Sequence, residues 1–394
     1  MRGLALEGGG ARGAYHIGVI RALIESGLEF NGFVGTSIGA INAAMMAQGD
    51  FDKMFDLWTN ISFELLFDEE EQQLIKYLDV KGMKLEPGLP MSLIKLLLKI
   101  KGGGINTDKM KLFIQSHIYE DKVRKSGKDF GLVTMALSDR KPLELMLDDI
   151  PQGKLMNYIM ASASFPGFQF ETIDGKIFID GAFYDNCPYK LLIKKNYDEV
   201  IAIRTKSLGI FRKVDGWERV KIIEPQEHLG HLMLFSPEQS NANIRLGYYD
   251  GLRYAKNLRG TAYYINPMGE DDGVSRLMMI PDTAIYRVGE MLGIPAMPAK
   301  RMLFEKIIPK INGYLKLRKN YDYTDFVIAL LEHIAAQRNI ERFQIYDYEL
   351  LCAKIRKTSK AKNEVTLLPT PLRIINNKLS TAVKLLGEKI IYMP

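Results

Sequence analysis

Gly35-Thr36-Ser37-Ile38-Gly39 reads G-x-S-x-G. A serine between two glycines, after an apolar stretch and before a run of small residues, has the setting of a nucleophile elbow. A helix opening at Ile38 would put its positive end beside the hydroxyl, where it stabilises an alkoxide. A serine at that place also serves simply as a helix cap. A serine nucleophile needs a group to take its proton. The chain has five histidines, His16, His117, His228, His231 and His333, none in an evident motif. His16 falls at helical spacing and reads as structural. His228 and His231 could share a helix face, so a Ser–Asp–His order stays available. The other possibility is a Ser–Asp dyad. Asp174 and Asp180 are each followed by glycine, and Asp-Gly is a strong hairpin-turn signal. Both cannot easily be turns six residues apart with a strand between them. Asp174 suits the turn, which leaves Asp180 at the end of the returning strand, where its carboxylate can face a neighbouring site.

A second feature precedes the serine. Gly8-Gly9-Gly10-Ala11-Arg12-Gly13 contains G-x-G-x-x-G between a strand and a helix. In dinucleotide folds this loop cradles a pyrophosphate, and an acid at the end of the second strand holds the ribose. Here that strand ends in Gly35-Thr36-Ser37 instead. The loop's backbone N–H groups still favour negative charge, either a phosphate or an oxyanion formed in a transition state. The Arg12 guanidinium would meet a phosphate headgroup or brace the turn.

The elements that must position these residues read as α/β. Gly3 to Leu6 is a short buried strand and Ala14 to Glu25 a helix. Phe30 to Val34 is a second strand and Ile38 to Met46 a second helix. Two strand–turn–helix units in 50 residues argue a parallel sheet with crossover helices. Further strands are expected at 130–138, 176–179 and 199–204, with a helix over 154–164. Beyond about residue 206 short strands mix with longer helices, so the division is placed there: 1–205 for the catalytic region, 206–394 for a mixed, largely helical extension. Met91 to Lys101 is strongly apolar with lysines at 95, 99 and 101. It reads equally as a core helix or as an interfacial helix or lid against lipid.

With 394 residues, 47% of them hydrophobic and 25% charged, the composition is that of an ordinary globular protein and excludes wholesale disorder. The two cysteines, Cys187 and Cys352, build neither a disulfide framework nor a zinc site. The remaining candidate ligands are too scattered to argue a metal, and no cofactor is expected. No signal peptide and no apolar run near the roughly 18 residues of a membrane span are visible. A cytoplasmic protein, at most peripheral at a membrane, is expected. The net charge is +6. From Leu351 to Pro394 nine basic residues stand against two acidic ones. That excess suits anionic headgroups, or is simply a solvated face.

Taken together, the motifs resemble those of the bacterial patatin-like phospholipases. Gly8–Gly13 is similar to that family's oxyanion-hole loop, Gly35–Gly39 to its serine elbow, and Asp180-Gly181-Ala182 to its catalytic aspartate motif. Ala161-Ser162-Ala163-Ser164-Phe165-Pro166 and Asp185-Asn186-Cys187-Pro188 are similar to flanking signatures. The resemblance covers residues 1 to 205. It implies a three-layer α/β/α sandwich with a mainly parallel central sheet, and a lipolytic serine acyl hydrolase. Ser37 would attack an acyl ester and Asp180 would act as base without histidine. Gly8, Gly9, Gly10, Arg12 and Gly13 would form the oxyanion hole, with Gly35 and Gly39 shaping the elbow. The implied substrate is a phospholipid, a lysophospholipid or another acyl-ester lipid, with peripheral membrane contact and no nucleic acid. A Ser–Asp–His esterase or thioesterase using a C-terminal histidine, and a nucleotide-binding α/β protein using the glycine loop, remain the alternatives.

Overall fold

The computed structural model describes residues 1–80, 104–213, 215–317, 319–358 and 370–392. The apolar stretch Met91 to Lys101 lies outside them. The chain divides into two compact units, Met1–Leu252 and Arg253–Pro394.

The first unit is built on a mixed, mostly parallel sheet. Its strands are β1 (Arg2–Leu6), β2 (Gly32–Thr36), β3 (Asp129–Ala136), β4 (Lys141–Met146), β5 (Thr172–Ile173), β6 (Lys176–Asp180), β7 (Glu199–Ile203) and β8 (Val220–Ile223), in the order β5-β6-β3-β2-β1-β7-β8, with β4 also paired to β3. β3, β2, β1, β7 and β8 run parallel, whereas β4 and β6 are antiparallel to β3. Period-two alternation sends Ala5, Val34, Val133, Val200 and Ala202 to one face, against Leu191, Leu192 and Ile193 of the helix Lys190–Lys194. Helix α2 (Ile38–Ala47) and the helix Leu155–Ser162 pack on strands from outside that cluster. The expected sandwich with helices on both faces is therefore the observed architecture.

The strands expected from the sequence are present, with β2 running two residues further than expected, to Thr36. Asp174 (φ 50°) and Gly175 (φ 75°) make the hairpin turn between β5 and β6, both left-handed as a type I′ turn requires.

The unit boundary differs from the one expected near residue 206. β8 adds a parallel strand beside β7, with Val200 opposite Val220. The helix Pro237–Ala255 lies tight against α1 (Ala14–Glu25): a Cβ on Gly247 would sit 2.2 Å from the Tyr15 carbonyl oxygen. Residues 206–252 are thus part of the same core as the strands before them.

The second unit is mainly helical, with a two-stranded parallel ribbon of β9 (Tyr264–Ile265) and β10 (Ile345–Tyr346). Its core includes Leu277, Phe326, Leu330 and Leu386. The basic stretch contributes to it: Leu351, Cys352 and Ile355 of one helix and Val383, Leu386 and Ile390 of another are buried. Among the described residues no helix is long and apolar enough to cross a membrane.

Candidate active site

The sheet's pairing register brings the serine and the aspartate together. β2 pairs with residues 129–133 of β3, ending with Thr36 opposite Val133. β6 pairs antiparallel with residues 134–136, ending with Asp180 opposite Thr134. β4 occupies the other edge of β3 over 131–136. β2 and β6 therefore run head-on toward each other along one edge of β3, and their last residues face consecutive β3 positions. Ser37 and Asp180 meet in the gap. Thr134 Oγ1 donates to the Ile179 carbonyl at 3.0 Å, and Thr36 Oγ1 donates to the Asp185 carbonyl at 2.8 Å. Each bond pins one strand end.

Ser37 occupies the turn from β2 into α2 with φ 58° and ψ −129°. That backbone is costly for a residue with a Cβ, about 1–3 kcal/mol, and persists only where the surroundings impose it. Close packing imposes it here: a Cβ on Gly35 would lie 2.1 Å from the Gly39 carbonyl oxygen, and one on Gly39 would lie 2.2 Å from the Leu6 carbonyl oxygen. Ser37 sits at the helix N-cap position, yet its side chain makes no capping bond. It lines the same cavity as Asp180, whose carboxyl it helps to hold in the ionised form.

Asp180 is 1% exposed. Its Oδ1 accepts the Ala182 N–H at 2.8 Å, and its own N–H donates to the Ser164 carbonyl at 2.9 Å. Burial pushes its carboxyl up to about 6, against the opposing pull of the Ala182 N–H and of the nearby Ser37. A carboxylate so placed is a better proton acceptor near neutral pH than an exposed one.

The glycine loop divides in its hydrogen bonding. Gly8 N–H donates to the Asn186 carbonyl at 3.0 Å, Ala11 N–H to Leu232 at 2.8 Å and Arg12 N–H to Gly9 at 3.0 Å. The N–H groups of Gly9 and Gly10 take no partner among the described residues, and both glycines line the cavity that holds Ser37 and Asp180. Gly13 packs against Ile38 and Trp58. The Gly8 and Arg12 amides, expected to face an oxyanion, are spent within the fold. Two remaining N–H groups are too few for the phosphate cradle of a nucleotide site.

Arg12 braces the loop. Its Nε donates to the Gly230 carbonyl at 3.0 Å, and its remaining nitrogens approach the Lys206 carbonyl at 3.4 Å, Ser207 Oγ at 3.5 Å and His228 Nε2 at 3.2 Å. Beneath it, the buried Glu7 accepts from Arg204 and from the Thr205 and Lys206 amides, tying the end of β1 to the loop after β7. Local sequence reading had no signal for these partners, which lie about 200 residues away in the chain.

The serine–aspartate cavity, roughly 580 Å³ and open to solvent, has Ile41, Met110, Phe165, Phe168, Leu232 and Phe235 among its walls. No histidine lines it. His228 Nδ1 accepts the Gly230 N–H at 3.0 Å while its other ring nitrogen faces Arg12. His16 is fully buried and held neutral, its pKa pushed down to about 3 by burial. A second cavity of roughly 530 Å³ shares Ile38, Ile41, Met110 and Phe235 with the first and continues between Trp58, Ile114 and Leu66. Its buried polar residue, Asn42, is already used: it accepts from Trp58 Nε1 at 2.9 Å and donates to the Gly13 carbonyl at 3.2 Å. Among the described residues no cluster of three metal-ligating side chains occurs. Both cysteines are buried thiols.

Residues 4–193 match the family model described as patatin-like phospholipase. The mouse (Mus musculus) patatin-like phospholipase domain-containing protein 6 is 22% identical over 286 residues, covering 67% of this chain and 18% of that protein. Lysophospholipase NTE1 of Kluyveromyces lactis is 24% identical over 306 residues, covering 74% and 19%. The chain thus spans about a fifth of the length of these curated relatives. Among solved structures, VipD of Legionella pneumophila aligns over 99% of this chain and 90% of its own, at 14% identity and a TM-score of 0.42.

Proposed function

We propose, from the match of residues 4–193 to the patatin-like phospholipase model, that this chain is a lipolytic serine acyl hydrolase that cleaves fatty-acyl esters of phospholipids or lysophospholipids. Ser37 Oγ attacks the ester carbonyl and Asp180 takes its proton. The Gly9 and Gly10 amides receive the oxyanion. Asp180 passes that proton to the leaving oxygen, the alcohol departs, an acyl-enzyme remains on Ser37, and water releases the fatty acid. The acyl chain enters the second cavity, whose walls are mostly apolar and whose buried amide, Asn42, is already bonded to Trp58 and Gly13. The observation that supports this reading most is the register that brings Ser37 and the buried Asp180 to the two facing strand ends on β3, both lining one largely apolar cleft. A Ser–Asp–His mechanism lacks support, because His228 is turned toward Arg12.

The test is fatty-acid release from mixed anionic phospholipid vesicles, and from the corresponding lysophospholipids, by the full chain and by Ser37→Ala. Release that disappears with Ser37 while the variant stays folded supports the reading. Release that survives in Ser37→Ala overturns it.

A further inference from the structure

One buried polar atom on the wall of the serine cavity has no use in the mechanism above. Asn186 is 1% exposed and lines the same cavity as Ser37 and Asp180. Its other polar groups are committed. Its N–H donates to the Ile210 carbonyl at 2.7 Å, its carbonyl accepts Gly8 N–H at 3.0 Å, and Nδ2 donates to the Leu208 carbonyl at 3.1 Å. The last bond orients the amide, since only the nitrogen side can face a carbonyl. Oδ1 is left buried without a hydrogen-bond partner. A Cβ built on Gly8 would fall 2.3 Å from Asn186 Oδ1 and 3.2 Å from Ser37 Cβ. Asn186 Oδ1 and Ser37 Cβ, the carbon that carries the nucleophile, therefore border one small space over Gly8, no further apart than those two distances laid end to end. A buried acceptor without a donor is unfavourable, and one kept beside a nucleophile is complementary to an O–H group.

We infer that Asn186 Oδ1 accepts a hydrogen bond from the water that hydrolyses the acyl-enzyme; the inference rests on the serine acyl hydrolase reading. In that step the water oxygen bonds to the acyl carbonyl carbon and its proton passes to the Asp180 carboxylate. The bond from that carbon to Ser37 Oγ then breaks, Asp180 returns the proton to Ser37 Oγ, and the fatty acid leaves. The water's other O–H stays bonded to Asn186 Oδ1, which orients the lone pair at the carbonyl and exchanges no proton. In the first half-reaction the nucleophile is the serine hydroxyl itself, which needs no water to be oriented, so Asn186 acts only in the second.

Rapid mixing of the full chain with p-nitrophenyl butyrate separates the two halves. In Asn186→Leu the first turnover should stay within about threefold of wild type. Later turnovers should slow by about 10- to 100-fold, the loss expected when a reacting group is no longer positioned. Intact mass spectrometry should show butyryl on Ser37, and added hydroxylamine, a nucleophile strong enough to need no orienting, should restore later turnovers. Asn186→Asp keeps the shape and an acceptor oxygen and should accumulate less adduct than Asn186→Leu. A fall of both phases together, as a purely structural clamp predicts, overturns the inference, and so do unchanged later turnovers. First-turnover amplitude counts folded sites, so misfolding reads as lost amplitude; in that case the smaller Asn186→Ala is judged by the same two rates. A wild type whose release does not depend on Ser37 overturns the hydrolase reading itself, and the inference with it.

Discussion

The backbone N–H of Ser37 donates to Ser162 Oγ at 3.0 Å, and the same hydroxyl donates to the Val133 carbonyl at 2.7 Å. One fully buried side chain thus fixes the nucleophile's amide to β3, the strand that also carries β6 and Asp180. Replacing it by alanine leaves both the Ser37 N–H and the Val133 carbonyl unpaired, at about 1–3 kcal/mol. The strained turn at Ser37 loses one of its constraints. Ser162→Ala is expected to lower the melting temperature measurably and to cut kcat by about 10- to 100-fold with KM little changed. A variant with lowered stability and wild-type kcat would show that the elbow holds its shape without this bond.

The identity of the base separates two mechanisms sharply. With Asp180 as base, the double variant His228→Ala/His231→Ala retains activity within about threefold, whereas Asp180→Asn loses about 10³-fold or more. A C-terminal histidine acting as base would make the double variant the inactive one. Ester hydrolysis by the two proteins side by side, with circular dichroism to check folding, decides between them.

Asp180 also sets a pH dependence with a definite sign. Its carboxyl is pushed up to about 6 from the ordinary 3.8, so the folded protein holds this proton more tightly than the unfolded chain. Between about pH 4 and 6 the native state carries more protons, and stability falls as pH rises through that window. Above it the ionised group costs about 3 kcal/mol. Asp180→Asn should therefore raise the melting temperature at pH 8 and leave it nearly unchanged at pH 4. Activity follows the opposite trend, because the base must be ionised: kcat/KM should rise to a plateau with an apparent pKa near 6. Asp185, whose carboxyl burial pushes up to about 7, is the neighbouring group that could mimic this profile. Persistence of the profile in Asp185→Asn assigns it to Asp180.

What the sequence made legible here was local. The elbow at 35–39, the glycine loop and the Asp174-Gly175 turn are each short patterns whose backbone demands leave a mark on residue type. Asp180 was reached because a second Asp-Gly could not also be a turn. What stayed hidden depends on register and on distant chain. β4 has no alternation strong enough to announce it: all six residues are partly or fully exposed. The spent amides of Gly8 and Arg12 and the bracing of Arg12 by residues 206–230 follow from loops that fold back across nearly the whole first unit. The change of pattern near residue 206 marks the end of β7 and its following loop rather than the end of the core, because β8 and the helix Pro237–Ala255 still pack onto it.

The second cavity makes a prediction about acyl length. Ile114 is 7% exposed and lines this cavity but not the one containing Ser37 and Asp180. While a chain is still entering apolar space, each added CH₂ contributes about 0.8 kcal/mol, or about fourfold in kcat/KM. The wild type should therefore gain steadily along a series of p-nitrophenyl esters until the cavity is full. Ile114→Trp fills that space and should end the gain at a shorter chain, with short esters hydrolysed as before because Ser37, Asp180 and the glycine loop are untouched. Ile114→Ala should extend it. If the length profile is the same in all three proteins, the acyl chain lies elsewhere, along the Phe165 and Phe168 wall of the serine cavity.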